Sequence, residues 1–125
     1  MEWKFRGDLP IYSQLVDQIK LGIVSNRLQP GERLPSVRDM AAEAGVNPNT
    51  MQRALQELER ENMVYAQRTA GRFVTEDMQV IERTKKQFAE EQIRSFLEAM
   101  GKLGYTREEI LLLISEEKEK EHGDT

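Results

Sequence analysis

The stretch Gln29-Pro30-Gly31-Glu32-Arg33-Leu34-Pro35-Ser36-Val37-Arg38-Asp39-Met40-Ala41-Ala42-Glu43-Ala44-Gly45-Val46-Asn47-Pro48-Asn49-Thr50-Met51-Gln52-Arg53-Ala54-Leu55 decides the fold. Pro30-Gly31 fixes a turn, and Pro35 disfavours helix in Leu34, so residues 28–35 read as a tight, ordered connector. Ser36 can accept the free N–H groups of a new helix, and Asp39, one turn on, suits that helix's positive end. Gly45 stands where a left-handed C-terminal cap belongs, so a short helix is predicted over Ser36 to Ala44. Asn47-Pro48 restarts a helix at once, with an N-cap side chain and a proline at the first helical position. Two helices meeting across about three residues have the spacing of a helix-turn-helix.

The second of these helices, predicted from about Pro48 to Asn62, sorts its side chains by face. Met51, Ala54, Leu55 and Leu58 form an inward stripe, while Asn49, Gln52, Arg53, Gln56 and Arg60 lie outside. Amide and guanidinium groups make bidentate hydrogen bonds to adenine and guanine edges, and the second helix of such a motif presents its first turn to the major groove. A solvated surface is the plainer alternative, although such a face more often draws on Glu and Lys.

Upstream, Ile11, Leu15, Val16, Ile19 and Ile23 place one apolar stripe on a helix running from about Pro10 to Asn26. Downstream, Met63–Gln67 and Arg72–Thr75 are β-prone runs flanking Arg68-Thr69-Ala70-Gly71, which predicts a hairpin. As a wing, it would set Arg68, Thr69, Gly71 and Arg72 beside phosphates or in a minor groove. Otherwise it is a capping hairpin with exposed arginines.

A further helix is predicted from about Asp77 to Leu103, with Ile81, Phe88, Ile93, Phe96, Leu97, Met100 and Leu103 at helical spacing and Gly104 ending it. Thr106-Arg107-Glu108-Glu109 is a capping-box sequence for a last helix. That helix carries the unbroken apolar run Ile110-Leu111-Leu112-Leu113-Ile114, which covers more than one face. A two-helix hairpin cannot hide it alone, so it must pack on the first domain or on a second copy of the chain. The surface expected to dimerise comprises Phe88, Ile93, Phe96, Leu97, Met100, Ile110, Leu111, Leu113 and Ile114. The charged run Glu116–Glu121 reads as a solvated, fraying helix end. The expected fold class is mainly α with a small β-hairpin: a winged helix-turn-helix domain over residues 1–75, then a two-helix C-terminal dimerisation hairpin over 76–125.

Composition narrows the function classes. The chain has 125 residues, too few for a large cofactor-binding catalytic fold. Its net charge of −4 divides unevenly, +1 over residues 1–75 and −5 over 76–125, which puts any polyanion-facing surface in the first part. No run approaches the ~20 apolar residues of a membrane span, and no secretory apolar core follows Met1, so a cytoplasmic protein without a membrane partner is expected. The absence of cysteine excludes disulfides, thiol catalysis and most structural zinc sites, and no metal or cofactor is expected. The sole histidine, His122, lies in the charged tail, and Glu108 and Glu109 suit capping, so the chain is not expected to be an enzyme. A small-molecule effector is left open, because the C-terminal part is too short to enclose a pocket of ~300 Å³ within one subunit.

Pro10-Ile11-Tyr12, the run Gln29–Arg38, the run Gly45–Leu55, Leu58-Glu59 and Gly71 together resemble the winged-helix DNA-binding domain of GntR-family bacterial transcription regulators, over about residues 3–75. The short helical C-terminus is similar to that of the YtrA subgroup, in which two helices mainly dimerise the protein. The resemblance implies that Arg38, Asn49, Thr50, Gln52 and Arg53 meet operator DNA and that the wing around Gly71 enters the neighbouring minor groove. It further implies phosphate contacts from Arg33 and Ser36. The function expected is a homodimeric repressor on a pseudo-palindromic, double-stranded operator. The alternative is a winged-helix protein–protein interaction module without DNA binding, which net acidity and the apolar C-terminus would suit.

Overall fold

The apolar spacing and caps described above resolve into α1 (Ile11–Val24), α2 (Val37–Ala44), α3 (Pro48–Arg60), β1 (Val64–Gln67), β2 (Gly71–Val74), α4 (Met78–Lys102) and α5 (Arg107–Gly123). The structure is a computed structural model that describes the backbone of residues 1–123 and the side chains of residues 1–117. The far end of the charged run and His122 lie outside the described side chains. Five helices and one two-stranded hairpin among the described residues make the molecule mainly helical with a small β element. Among the described residues, no helix is long and apolar enough to cross a membrane.

Local chemistry sets the helix ends. Ser36 Oγ accepts from the Asp39 N–H at 3.1 Å, and Asn47 Oδ1 accepts from the Asn49 N–H at 2.7 Å, so each capping side chain satisfies an otherwise free donor. Gly45 adopts a left-handed conformation at φ +71°, which lets the Val46 N–H return to the Ala41 carbonyl at 3.0 Å. Asn26 and Asn62, at φ +67° and +62°, turn the chain just past α1 and α3. Both helices therefore stop a residue or two short of the ends expected from periodicity alone.

The chain divides into two compact units, Met1–Lys86 and a second from Gln87 onward. In the first, α1 and α2 both pack on α3, and α3 runs on into the hairpin. Leu15, Ile19 and Ile23 from α1 meet Met51, Leu55 and Leu58 from α3, with Met40 and Ala41 from α2 and Met63, Val64 and Val74 from the hairpin region. All of them are almost fully buried, and burial of each large aliphatic side chain contributes about 1.5–3 kcal/mol. The first turns of α4 belong to this unit. Ile81 enters its core, and Thr84 Oγ1 donates to Met63 Sδ at 3.3 Å, so the unit runs past the end of the wing.

An extended N-terminal segment also belongs to this unit. Trp3 and Phe5 stack at 6.2 Å and pack against the core, while Gln14 and Gln18 of α1 exchange hydrogen bonds with the backbone of Arg6 and Lys4. Two glutamine side chains on successive helical turns thus substitute for a neighbouring strand.

In the hairpin, Val64 pairs with Val74, Tyr65 with Phe73, Ala66 with Arg72 and Gln67 with Gly71. The connector before α2 adds a third edge that periodicity does not reveal. Arg33 bridges Phe73, the Gly31 N–H donates to the Val74 carbonyl at 2.9 Å, and the Leu34 N–H donates to the Arg72 carbonyl at 2.9 Å. The wing is therefore hydrogen-bonded directly to the segment that leads into α2.

In the second unit, α5 opens on the expected capping box: the Glu109 N–H donates to Thr106 Oγ1, and the Thr106 N–H donates to Glu109 Oε1. Gly104, at φ +94°, makes the turn before it. Ile93, Phe96, Leu103, Leu111, Leu112, Leu113 and Ile114 are exposed in the single chain, Leu103 to 72% and Leu112 to 64%. Ile110 differs from its neighbours in the apolar run: it is only 4% exposed.

Candidate nucleic-acid interface

The second helix of the helix-turn-helix, α3, presents Asn49, Arg53 and Gln56 to solvent, with Thr50 and Gln52 half-buried beside them. Arg38 is exposed on the first turn of α2, and Ser36 sits at its cap. Because Ser36 Oγ accepts from a backbone N–H, its own proton remains available to an external acceptor such as a phosphate oxygen. At the wing tip, Arg68 and Thr69 are exposed on a turn closed by the Ala70 N–H donating to the Gln67 carbonyl.

Ion pairing separates the arginines of the connector, α2, α3 and the hairpin into two groups. Arg60 is held by Glu57, with Nε 3.0 Å from Oε1 and a second contact from the guanidinium. The Arg60 guanidinium, which donates to it, draws the Glu57 carboxyl down to about 2. Arg72 Nε donates to Glu59 Oε1, an ion pair that crosses from β2 to α3, and the Arg72 side chain is only 20% exposed. By contrast, Arg33, Arg38, Arg53 and Arg68 form no ion pair among the described residues. All of them are exposed. A cation without an internal partner keeps its full attraction for a polyanion, whereas a paired one has much of its field cancelled.

Arg53 has a neutral neighbour instead. Its guanidinium lies over the ring of Tyr12 on α1, 4.7 Å from the centroid, and the Tyr12 hydroxyl donates to Glu57 Oε1 at 3.4 Å. Arg33 packs against the wing: a Cβ added at Gly71 would come within 3.3 Å of its Nε. Gly71 also has φ +104°, so this position needs glycine for both its backbone and its close neighbour.

The residues singled out from sequence for DNA binding thus fall on the connector before α2, on α2 and α3, and on the wing of one unit. Tyr12 and Glu59 were not singled out as site residues. Tyr12 shares the helical stripe of Leu15 and Val16, which marks it as inward-facing, but nothing local pairs it with Arg53. Glu59 lies beside Leu58 without a signal that its partner is in the hairpin.

Among the described residues, no group of three or more His, Asp or Glu side chains could hold a metal ion. A groove of about 510 Å³ lies along the N-terminal segment and α1, lined by Lys4, Arg6, Leu9, Gln14, Gln18 and Leu21 among others. Its two glutamines are engaged with the backbone of Lys4 and Arg6.

Residues 11–74 match the family described as bacterial regulatory proteins, gntR family. The chain is 40% identical over 111 residues to the uncharacterised HTH-type transcriptional regulator YhcF of Bacillus subtilis, a match covering 89% of this chain and 92% of that protein. It is 39% identical over 72 residues to the HTH-type transcriptional repressor YtrA of the same organism, covering 58% of this chain and 55% of that one. Among solved structures, a GntR family transcriptional regulator from Listeria monocytogenes is similar with a TM-score of 0.81 and 37% identity, over 90% of this chain and 98% of that chain. The helix-turn-helix, the wing and these matches agree: the chain belongs to the gntR family of bacterial regulatory proteins and is a winged-helix, DNA-binding transcription regulator.

Proposed function

We propose that the protein is a homodimeric repressor that reads a pseudo-palindromic, double-stranded operator. In this reading α3 enters the major groove, where Asn49, Gln52 and Arg53 face base edges, with Thr50 and Arg38 at the groove's margin. Arg33, Ser36, Arg68 and Thr69 meet phosphates, and Gly71 lets the wing approach the neighbouring minor groove. Arg72 serves the same interface from within, by tying the wing to Glu59. The observation that carries this reading is the distribution of charge: Arg33, Arg38, Arg53 and Arg68 have no acidic partner among the described residues, whereas Arg60 and Arg72 do.

Residues 1–75 are assigned to DNA binding and 76–125 to dimerisation. Phe88, Ile93, Phe96, Leu97, Met100, Leu111, Leu113 and Ile114 supply the apolar surface for a second copy, with Ile110 anchoring α5 beneath it. The exposure of Ile93, Phe96, Leu111, Leu113 and Ile114 in the single chain supports this, with Phe88, Leu97 and Met100 half-buried, since a small protein rarely leaves so much apolar surface in water. A two-fold dimer would place its recognition helices about one helical turn of DNA apart, and the operator would mirror that symmetry. Repression follows from occupying a promoter-proximal site, and the relative YtrA carries the name of a repressor.

The test is selection from a random pool of double-stranded DNA at near-physiological salt, which suppresses purely electrostatic binding. Enrichment of an inverted repeat is the expected result. A pool that stays unenriched would contradict sequence reading.

A further inference from the structure

Arg53 stands four residues before Glu57 on α3, a spacing at which the two side chains share a helix face and could pair. The pair does not form. Glu57 is held from the other side by Arg60, which donates from Nε at 3.0 Å, and it also accepts from the Tyr12 hydroxyl at 3.4 Å. The Arg53 guanidinium rests on the ring of that same tyrosine, 4.7 Å from its centroid. Tyr12 therefore touches both: its hydroxyl reaches the Glu57 carboxylate, and its ring face holds the Arg53 guanidinium.

The consequences for recognition are chemical. A guanidinium lying on a ring keeps its N–H donors at its edge, where a base edge can meet them, whereas an ion pair would already use those donors. The ring is neutral, so it restrains the side chain without adding a charge that DNA would feel. Tyr12 is itself restrained, half-buried and packed against the hydrophobic core. An arginine restrained before binding loses less conformational freedom when it docks.

We propose that Tyr12 is a positioning residue for sequence discrimination, holding Arg53 in the pose from which it reads a base edge. This rests on the reading of Arg53 as a base-contacting residue, and the test separates the two.

The probes are the inverted-repeat duplex enriched from a random pool and a scrambled duplex of the same composition, with the ratio of their dissociation constants as the readout. Tyr12→Leu is expected to lower that ratio about three- to fivefold, the range of an exposed cation–π contact. Tyr12→Phe, which keeps the ring, should stay within about twofold of the unmodified protein, since only a long hydroxyl contact is lost. In an Arg53→Ala background, Tyr12→Leu should cost nothing further. The salt dependence should not change, because no charge is removed.

An equal loss with and without Arg53, or an equal loss on both duplexes, would make the ring merely structural and overturn the proposal. If Arg53→Ala lowers the ratio and Tyr12→Leu does not, the positioning role fails alone. If Arg53→Ala leaves the ratio unchanged, the base-contact reading fails and the proposal with it. One measurement needs no variant to fold. In the unmodified protein the Arg53 Nε–H proton should resonate upfield through the ring current of Tyr12, and an unshifted resonance would overturn the proposal.

Discussion

Arg72 on β2 is ion-paired with Glu59 on α3, so the wing and the recognition helix are tied by a contact that belongs to neither element alone. This pair gives Arg72 a role different from that of Arg68, which is exposed at the wing tip without a partner among the described residues. Arg68→Gln should weaken binding to all duplexes alike and lower the salt slope by about one, the signature of a lost phosphate contact. Arg72→Gln should also weaken binding, through a loosened wing, while leaving the slope nearly unchanged. Binding isotherms at several salt concentrations decide the matter; a slope lowered by about one in Arg72→Gln would mean that its charge meets a phosphate directly.

Gly71 combines a left-handed backbone with the close approach of Arg33. Gly71→Ala should therefore destabilise the first unit by about 1–3 kcal/mol, the usual cost of forcing a side chain into that region of backbone space. Chemical denaturation of the two proteins measures it. Stability unchanged within error would show that the wing relaxes without strain.

The exposed apolar residues of the second unit lead to a prediction about assembly. Leu111 is 61% exposed and Ile93 53% in the single chain, so a glutamate at either costs the isolated subunit little. In a dimer that buries them, the same charge would be desolvated without a partner. Leu111→Glu and Ile93→Glu should each raise the dimer dissociation constant about tenfold or more, read by sedimentation equilibrium. Unaltered dimerisation in both variants would place the interface elsewhere.

Glu57 sets a pH dependence. Its carboxyl is drawn from 4.5 to about 2 chiefly by the Arg60 guanidinium. A folded value below the unfolded one means that the contribution is fully present above about pH 4.5 and is lost as pH falls toward 2. Because the Arg60 partner is 72% exposed, solvent screening keeps the effect small. Glu57→Gln should remove that part of the decline in melting temperature between pH 4.5 and 2. A decline identical in both proteins would show that the Arg60 pair does not contribute.

How much of this was legible in the sequence depended on how local the chemistry is. Ser36, Gly45 and Asn47-Pro48 act within a turn or two of their own position, and they marked the helix-turn-helix where it forms. The apolar stripe of α3 was equally plain, because Met51, Leu55 and Leu58 repeat with the helical period. The third edge of the wing was not. Its Arg33–Phe73 bridge joins segments far apart in sequence, and the run Gly31–Leu34 has no alternation to announce a strand. The limit of the first unit was hidden for another reason: α4 is one continuous helix, and its period does not change where Ile81 and Thr84 leave the first core. For the candidate site, residue types on α3 and the wing could be read directly. Which arginines have partners could not, since Glu59 and Tyr12 reach Arg72 and Arg53 only once α1, α3 and the hairpin pack together.

The unpaired arginines and the amides of α2, α3 and the wing are expected to read a DNA sequence as a dimer. The ratio of dissociation constants for the enriched inverted repeat and a scrambled duplex, measured at near-physiological salt, tests it most directly. A preference of about 10³ or more is predicted, as for specific regulators generally. A ratio near one would contradict it.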